Sequence, residues 1–104
     1  MAEDVKPAIV VDLVGAGRGT GYVATGPHAG AAVATGREGN RHYAEIDADR
    51  QITAYGSSID VAVRRAAARL GITGTALISV DATGSERTIP LAEGRTWRAI
   101  RPAS

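Results

Sequence analysis

Short β-prone segments that end in glycine recur about every ten residues in the first half of the chain. Val23-Ala24-Thr25-Gly26 returns as Val33-Ala34-Thr35-Gly36, and a looser copy, Asp81-Ala82-Thr83-Gly84, follows later. This period is too short for a helical repeat unit but fits strand and turn in an antiparallel meander, with glycine supplying positive φ at each strand exit. We therefore predict that this half of the chain is a series of antiparallel strands.

Helical periodicity is strong in one segment, SSIDVAVRRAAARLG. Ser57 or Ser58 can cap its N-terminus, and Gly71 stands where a C-terminal cap belongs. The helical wheel separates an apolar face from a polar one that carries Arg64, Arg65 and Ala68. The apolar face consists of Ile59, Ala62, Val63, Ala66 and Leu70. These features predict one helix over residues 58–70.

The remaining segments alternate or run apolar in the manner of strands. In RHYAEID, Tyr43 and Glu45 fall on one face while His42 and Ala44 fall on the other. QITAYG reads as the partner strand of a hairpin, and residues 76–91 read as a second hairpin after the helix. We predict an α+β fold in which an antiparallel sheet of five or six strands carries one principal helix on one face. Residues 1–104 are expected to form a single domain, with 1–7 as a tail and 95–104 as either a tail or a short final strand.

Composition narrows the classes of function. Phe is absent and Trp occurs once, so the core must be built from Val, Ile, Leu and Ala. The formal net charge is only +1, which argues against a strongly basic surface that binds DNA by charge alone. Cysteine is absent, and no apolar run approaches the roughly 18 residues of a membrane span. We expect a cytoplasmic protein without membrane contact, and the abundance of Arg, Ala and Gly indicates a bacterial, GC-rich genome.

The glycine-rich segment GAGRGTG invites comparison with a dinucleotide-binding fingerprint. That fingerprint requires a third glycine where this chain has Thr20 or Tyr22, and it requires a helix to follow. We interpret the segment as the tip of a hairpin, where Arg18 could touch a phosphate. No cofactor site is predicted.

Catalytic and metal-binding motifs are also incomplete. His42 and Glu45 are three positions apart on a predicted strand, so their side chains should point to opposite faces. Gly56-Ser57-Ser58 lacks the GxSxG pattern of a nucleophile elbow, and helix capping accounts for both serines. We predict neither a metal site nor an enzyme.

One stretch carries a family resemblance. Residues 52–63, ITAYGSSIDVAV, resemble the strand-turn-helix of Alba-type nucleic-acid-binding proteins and the similar SpoVS sporulation proteins, whose pattern is I-x-A-x-G-x-A-I-x-x-A-V. Ser58 replaces the small alanine of that pattern, and the hairpin over residues 76–91 also fits the family. The resemblance, which covers residues 52–91, implies nucleic-acid binding. Alba-type domains place a helix between their first two strands, whereas residues 15–41 look like strands.

These observations lead to a nucleic-acid-binding or regulatory module that acts as a homo-oligomer. Phosphate contacts are expected from arginines, and Trp97 beside arginine can stack on a base. The alternative for Trp97 is that it closes one end of a core that lacks other large aromatic residues. The predicted contact residues are Arg18, Arg64, Arg65, Arg95, Trp97, Arg98 and Arg101.

A protein-interaction module is the alternative function. Val61 and Ala68 near the outer helix face could pack against a second copy of the chain. Edge strands in the glycine-rich half could pair with a strand of a partner, in the manner of an adaptor or an inhibitor.

Overall fold

A computed structural model describes residues 6–15, 18–81 and 83–91. These residues form seven strands and one helix, and all seven strands belong to one sheet with the order β5-β4-β3-β2-β1-β6-β7. The elements in chain order are β1 (Ile9–Gly15), β2 (Arg18–Val23), β3 (Ala32–Glu38), β4 (Arg41–Asp47), β5 (Gln51–Gly56), α1 (Ile59–Arg69), β6 (Thr75–Val80) and β7 (Ser85–Pro90). The prediction of an α+β fold with one helix is confirmed.

The sheet is larger than expected and is not entirely antiparallel. Strands β1 to β5 form the predicted meander, but β6 pairs with β1 in parallel, with Ile9 opposite Ala76 and Leu13 opposite Val80. The reason is the connection through α1, which leaves β5 at one edge and returns the chain on the far side of β1. A helical crossover of this kind delivers the next strand in the same direction. The expectation of five or six antiparallel strands is therefore corrected to seven strands with one parallel pair.

Alternation along the strands gives the sheet an inner and an outer face. The inner face supplies most of the core, which is aliphatic as the composition requires. Its fully or almost fully buried members are Ile9, Val11, Val23, Val33, Ala44, Ile46, Ala54, Ala76 and Ile78. Helix α1 packs on this face against β4 and β5. The alternate residues of the same strands form the outer face, where polar side chains are joined by apolar ones such as Val14 and Tyr22.

Helix α1 forms where its periodicity predicts. The Ser58 side chain accepts a hydrogen bond from the Val61 backbone N–H, which identifies Ser58 as the N-cap. The helix ends at Arg69, and Gly71 follows with φ of 72°. Ile59, Ala62, Val63 and Ala66 are buried as predicted; Ala67 is buried as well, while Leu70 is half-buried.

The sheet curls around α1. In a flat sheet the edge strands β5 and β7 would lie about 29 Å apart, since neighbouring strands are separated by about 4.8 Å. Yet Asp60, in the first turn of α1 beside β5, forms an ion pair with Arg87 of β7 at 2.6 Å. A helix about 10–12 Å wide cannot bridge a flat sheet of this size. The two edges must therefore approach each other around the helix.

Two glycines lie on the central strand of the curled sheet. Gly19 and Gly21 sit on the inner face of β2, which is the central strand of the seven. A methyl group on Gly21 would overlap the carbonyl oxygen of Val10, and one on Gly19 would lie 2.5 Å from the carbonyl oxygen of Asp12. Strands β1 and β2 therefore approach more closely than any side chain on this face would permit.

The repeated segments use their glycines differently. Gly26 leaves β2 with φ of 84° and Gly84 lies in the β6–β7 turn with φ of 70°, as expected for strand exits. Gly36 instead lies inside β3, where the ring of Tyr43 on β4 occupies the space that a side chain would take. The exit from β3 is made by Gly39, with φ of 60°. The interpretation of every repeat glycine as a strand exit was therefore wrong at Gly36.

The strand-turn-helix that resembles Alba-type proteins is present as β5 and the start of α1. Strands β2 and β3 lie within residues 15–41, where the sequence predicts strands. Among the described residues, no helix is long and apolar enough to cross a membrane.

Candidate nucleic-acid interface

The surface of α1 that faces away from the sheet carries three arginines and no unpaired acid. Arg65 and Arg69 are exposed, and Arg64 is half-buried. They lie on the face opposite the buried residues because the apolar positions recur with the helical period. The one acid of the helix, Asp60, is held by Arg87.

Arg65 and Arg69 reach from the helix to the outer edge of β5. The Nη1 of Arg65 donates to the carbonyl oxygen of Tyr55 at 2.8 Å, and the Nη1 of Arg69 donates to that of Thr53 at 2.9 Å. Residues 53 and 55 are two apart on the strand, so their carbonyls point in the same direction, which is away from β4. The two arginines are one helical turn apart, so each meets one of these carbonyls.

A carbonyl partner fixes a guanidinium group without neutralising it. Each guanidinium has five N–H donors, and one bond to a neutral oxygen leaves the positive charge and most donors available. Within the described part of the chain, the one ion pair joins Arg87 and Asp60. Arg65 and Arg69 are thus two anchored, uncompensated cations along one strand edge.

An aromatic cluster borders the same edge on the outer face. The Tyr43 and Tyr55 rings meet edge to face at a centroid distance of 6.2 Å, and the guanidinium carbon of Arg41 lies 4.1 Å above the Tyr55 ring. Hydrogen bonding to the Glu38 carboxylate raises the pKa of the Tyr55 hydroxyl, and the negative charge of Glu38 adds to the effect. Arg41, Tyr43 and Tyr55 are named the aromatic cluster below.

The two sides of the molecule differ in charge. The outer face of the sheet is predominantly acidic, and the helix side is predominantly basic. The charged residues of the outer face are Asp12, Arg18, Glu38, Arg41, Glu45, Asp47 and Glu86. Those of the helix side are Arg37, Asp60, Arg64, Arg65, Arg69 and Arg87. An anionic partner would therefore be drawn toward the helix side, despite the net charge of +1.

The predicted contact residues fall into three groups. Arg64 and Arg65 lie together on α1 beside β5. Arg18 begins β2 on the outer face, three strands away from β5, so it does not join them. The other four lie outside the described residues: Arg95, Trp97, Arg98 and Arg101.

Sequence reasoning missed two arginines of this region. Arg69 follows Arg65 by four positions, and this spacing on a predicted helix was the available signal. Arg41 begins the alternating segment of β4, and nothing in the sequence indicates that it stacks on Tyr55, which follows 14 positions later on β5. The aromatic cluster depends on strand register, which only the fold supplies.

The C-terminal end of α1 borders a cleft of about 140 Å³. One titratable side chain, His28, is found among its lining residues, which are Thr25, Gly26, Pro27, His28, Leu70, Gly71, Ile72 and Thr73.

The other histidine, His42, is on the inner face of β4, with a buried Nδ1 that has no hydrogen-bond partner among the described residues. No three metal-ligating side chains converge in residues 6–15, 18–81 and 83–91.

No protein-family model matches the sequence, and no curated protein or solved structure matches it either.

Proposed function

We propose that this protein is a non-enzymatic module that binds nucleic acid through the helix side of the molecule. The observation that carries the proposal is the pair of anchored cations, Arg65 and Arg69, whose guanidinium groups are held by the carbonyls of β5 and not by acids. Contacts between arginine and phosphate supply most of the affinity in sequence-independent binding. A cytoplasmic location belongs to the same proposal, since it is where a bacterial protein would meet its nucleic acid.

The contact surface proposed here comprises Arg64, Arg65 and Arg69. Holding the guanidinium groups before binding reduces the loss of side-chain freedom that a phosphate contact normally costs. Three cations from one chain give modest affinity, so we include in the proposal that a homo-oligomer doubles the surface. Arg18 and the group from Arg95 to Arg101 remain predictions for contacts elsewhere on the ligand.

Fluorescence anisotropy of labelled DNA and RNA at low salt tests this proposal. We expect Arg64→Ala and Arg69→Ala each to weaken binding to all sequences by a similar factor. Each should lower the slope of log K against log salt by about 0.7–0.9, the value for one phosphate contact. Arg50→Ala is the matched control, because it removes the same charge from the exposed β4–β5 turn, beside Asp49.

Equal effects of Arg50→Ala and Arg69→Ala would mean that net charge alone, and not the helix side, sets the affinity. Absence of binding to duplex, single-stranded DNA and RNA at tens of micromolar protein would overturn the proposal.

A protein-interaction function is the second candidate, and the edge strand β7 favours it. The bond from the Leu91 N–H to the Gly74 carbonyl sets the register, so that the peptide groups of Glu86 and Thr88 face away from β6. An added strand could pair with them. The glycine-rich half, where an edge strand was expected, provides none, since β1, β2 and β3 are interior strands.

Thr88→Pro removes one outward N–H of β7 and should abolish any strand-mediated self-association seen by sedimentation.

A further inference from the structure

We propose that the outer edge of β5 is a track for the phosphates of a single-stranded nucleic acid, with the backbone N–H groups of Thr53 and Tyr55 acting together with Arg65 and Arg69. This inference rests on the nucleic-acid binding proposed above and specifies the form of the ligand and its path.

The direction of the β5 peptide groups follows from the hairpin register. The Ala48 N–H donates to the Arg50 carbonyl, so the bonded pairs of this hairpin continue at Ile52 and Ala54. The peptide groups of Thr53 and Tyr55 consequently face away from β4. Their two carbonyls accept from Arg69 and Arg65, while their N–H groups have no partner among the described residues.

This arrangement turns a strand edge into a row of donors. An ordinary edge presents alternating N–H and C=O groups and therefore attracts another strand. At Thr53 and Tyr55 the acceptors are occupied by the two arginines, and what remains at these two residues are their N–H groups and the free N–H groups of two guanidiniums. A chain that brings only acceptors and negative charge fits such an edge better than a peptide strand, which would bring its own N–H donors.

The spacing of the donors also suits a nucleic-acid strand. Thr53 and Tyr55 are separated by two residues, or about 6.7 Å along the strand. That distance is close to the separation of neighbouring phosphates in an extended single strand. Asp47 and Asp49 lie toward the other end of β5 and repel phosphate, so the track runs from Thr53 toward the start of α1.

The aromatic cluster indicates a single strand and not a duplex. The Tyr55 side chain extends onto the outer face from the same residue whose N–H lies at the edge. A phosphate at this N–H places its base near Arg41, which covers the Tyr55 ring at 4.1 Å. A base can stack on a guanidinium plane or an aromatic ring only when it is unpaired and turned outward.

The test compares binding of an oligothymidine strand with that of a duplex of equal length. Thr53→Pro removes the outward N–H at a position where an edge strand tolerates proline. We expect it to weaken single-strand binding about tenfold, as for loss of one hydrogen bond to a charged group. Thr53→Val, which removes the hydroxyl and its contact with Glu45 but keeps the N–H, is the reference with which Thr53→Pro is compared. Gln51→Pro is the control for the general effect of a proline substitution in the same strand.

A measurement on the unaltered protein covers the case in which Thr53→Pro fails to fold. In amide NMR spectra, the Thr53 and Tyr55 signals should shift on titration with oligothymidine, and those of Glu86 and Thr88 on β7 should not. Unshifted Thr53 and Tyr55 signals under saturating strand would overturn the track.

The remaining outcomes separate this inference from the broader proposal. If folded Thr53→Pro binds as Thr53→Val does while Arg69→Ala binds weakly, the track is wrong and nucleic-acid binding stands. Duplex binding as tight as single-strand binding also overturns the track alone. If polyglutamate binds and no nucleic acid does, both proposals fail and the edge recognises an acidic protein.

Discussion

At Gly21, the smallest possible side chain would overlap the peptide carbonyl of the neighbouring strand. The obstacle is backbone, which cannot rotate away as a flexible side chain would. Gly36 differs, because its obstacle is the side chain of Tyr43. Two glycines without positive φ are therefore required for different reasons, and neither reason is visible in the sequence, where both look like turn residues.

We expect Gly21→Ala to destabilise the protein by about 1–3 kcal/mol or more, since β1 and β2 must separate at the centre of the sheet. Urea unfolding followed by circular dichroism measures the loss. Thr20→Ala, at the adjacent exposed position of β2, should change the free energy of unfolding by no more than about 0.5 kcal/mol. Equal effects of the two substitutions would contradict the close approach at Gly21.

The raised pKa of Tyr55 makes a prediction in alkaline solution. Glu38 favours the protonated hydroxyl, so the stability that this contact contributes is present below the ordinary tyrosine pKa and is lost as the pH rises through the raised one. The difference in tyrosinate absorbance between wild type and Tyr55→Phe isolates this titration. Glu38→Gln should move it to lower pH; an unchanged midpoint would show that Glu38 does not act on Tyr55.

At the scale of elements, what the sequence predicted correctly is local. The helix boundaries follow from capping and a 3.6-residue period, and β4 and β5 follow from alternation with a short turn between them. The parallel pairing of β1 with β6 was missed because no local signal encodes a partner so far along the chain. The anchoring of Arg65 was missed for the same reason, since a helical wheel shows exposure but not a neighbouring strand edge.

The buried face of α1 should be intolerant of charge. Ala66 is completely buried, so Ala66→Asp would place a carboxylate in the aliphatic core and should cost several kcal/mol, enough to unfold a small domain. Ala68→Asp, on the exposed side, should leave thermal unfolding nearly unchanged. Dissociation of an oligomer by Ala68→Asp alone would identify the helix surface as a subunit interface.

Arg65 and Arg69 should also protect β5 from pairing with other strands. We expect the double variant R65A/R69A to expose the Thr53 and Tyr55 carbonyls and to self-associate at concentrations where the wild type does not. Sedimentation velocity measures the association. Arg64→Ala removes a cation without freeing a carbonyl and serves as the control; if it self-associates equally, charge and not edge protection is responsible.

At the scale of the whole molecule, the contact between Asp60 and Arg87 joins the two edges of the curled sheet. The hydrogen bond that Arg87 donates to the Asp60 carboxylate raises the pKa of the Arg87 guanidinium, which therefore stays charged. The two side chains are 27% and 46% exposed, respectively, and solvent screens the attraction. A double-mutant cycle with Asp60→Ala and Arg87→Ala should therefore give a coupling of about 0.2–1 kcal/mol, measured by urea unfolding. A coupling of zero would mean that packing alone holds the edges together.

The parallel pair of β1 and β6 has a consequence for biosynthesis. Ile9 pairs with Ala76, so β1 leaves the ribosome 67 residues before its second neighbour does. During that interval the β1–β5 meander can already assemble. In that meander β1 is a valine-rich edge strand with one side unpaired, and Asp12 is its single charged residue. An edge strand of this kind can pair with other nascent chains. The loop between β1 and β6 is long, so its closure is slow. The vulnerable period of this protein in the cell is therefore the time between the synthesis of β1 and the arrival of β6.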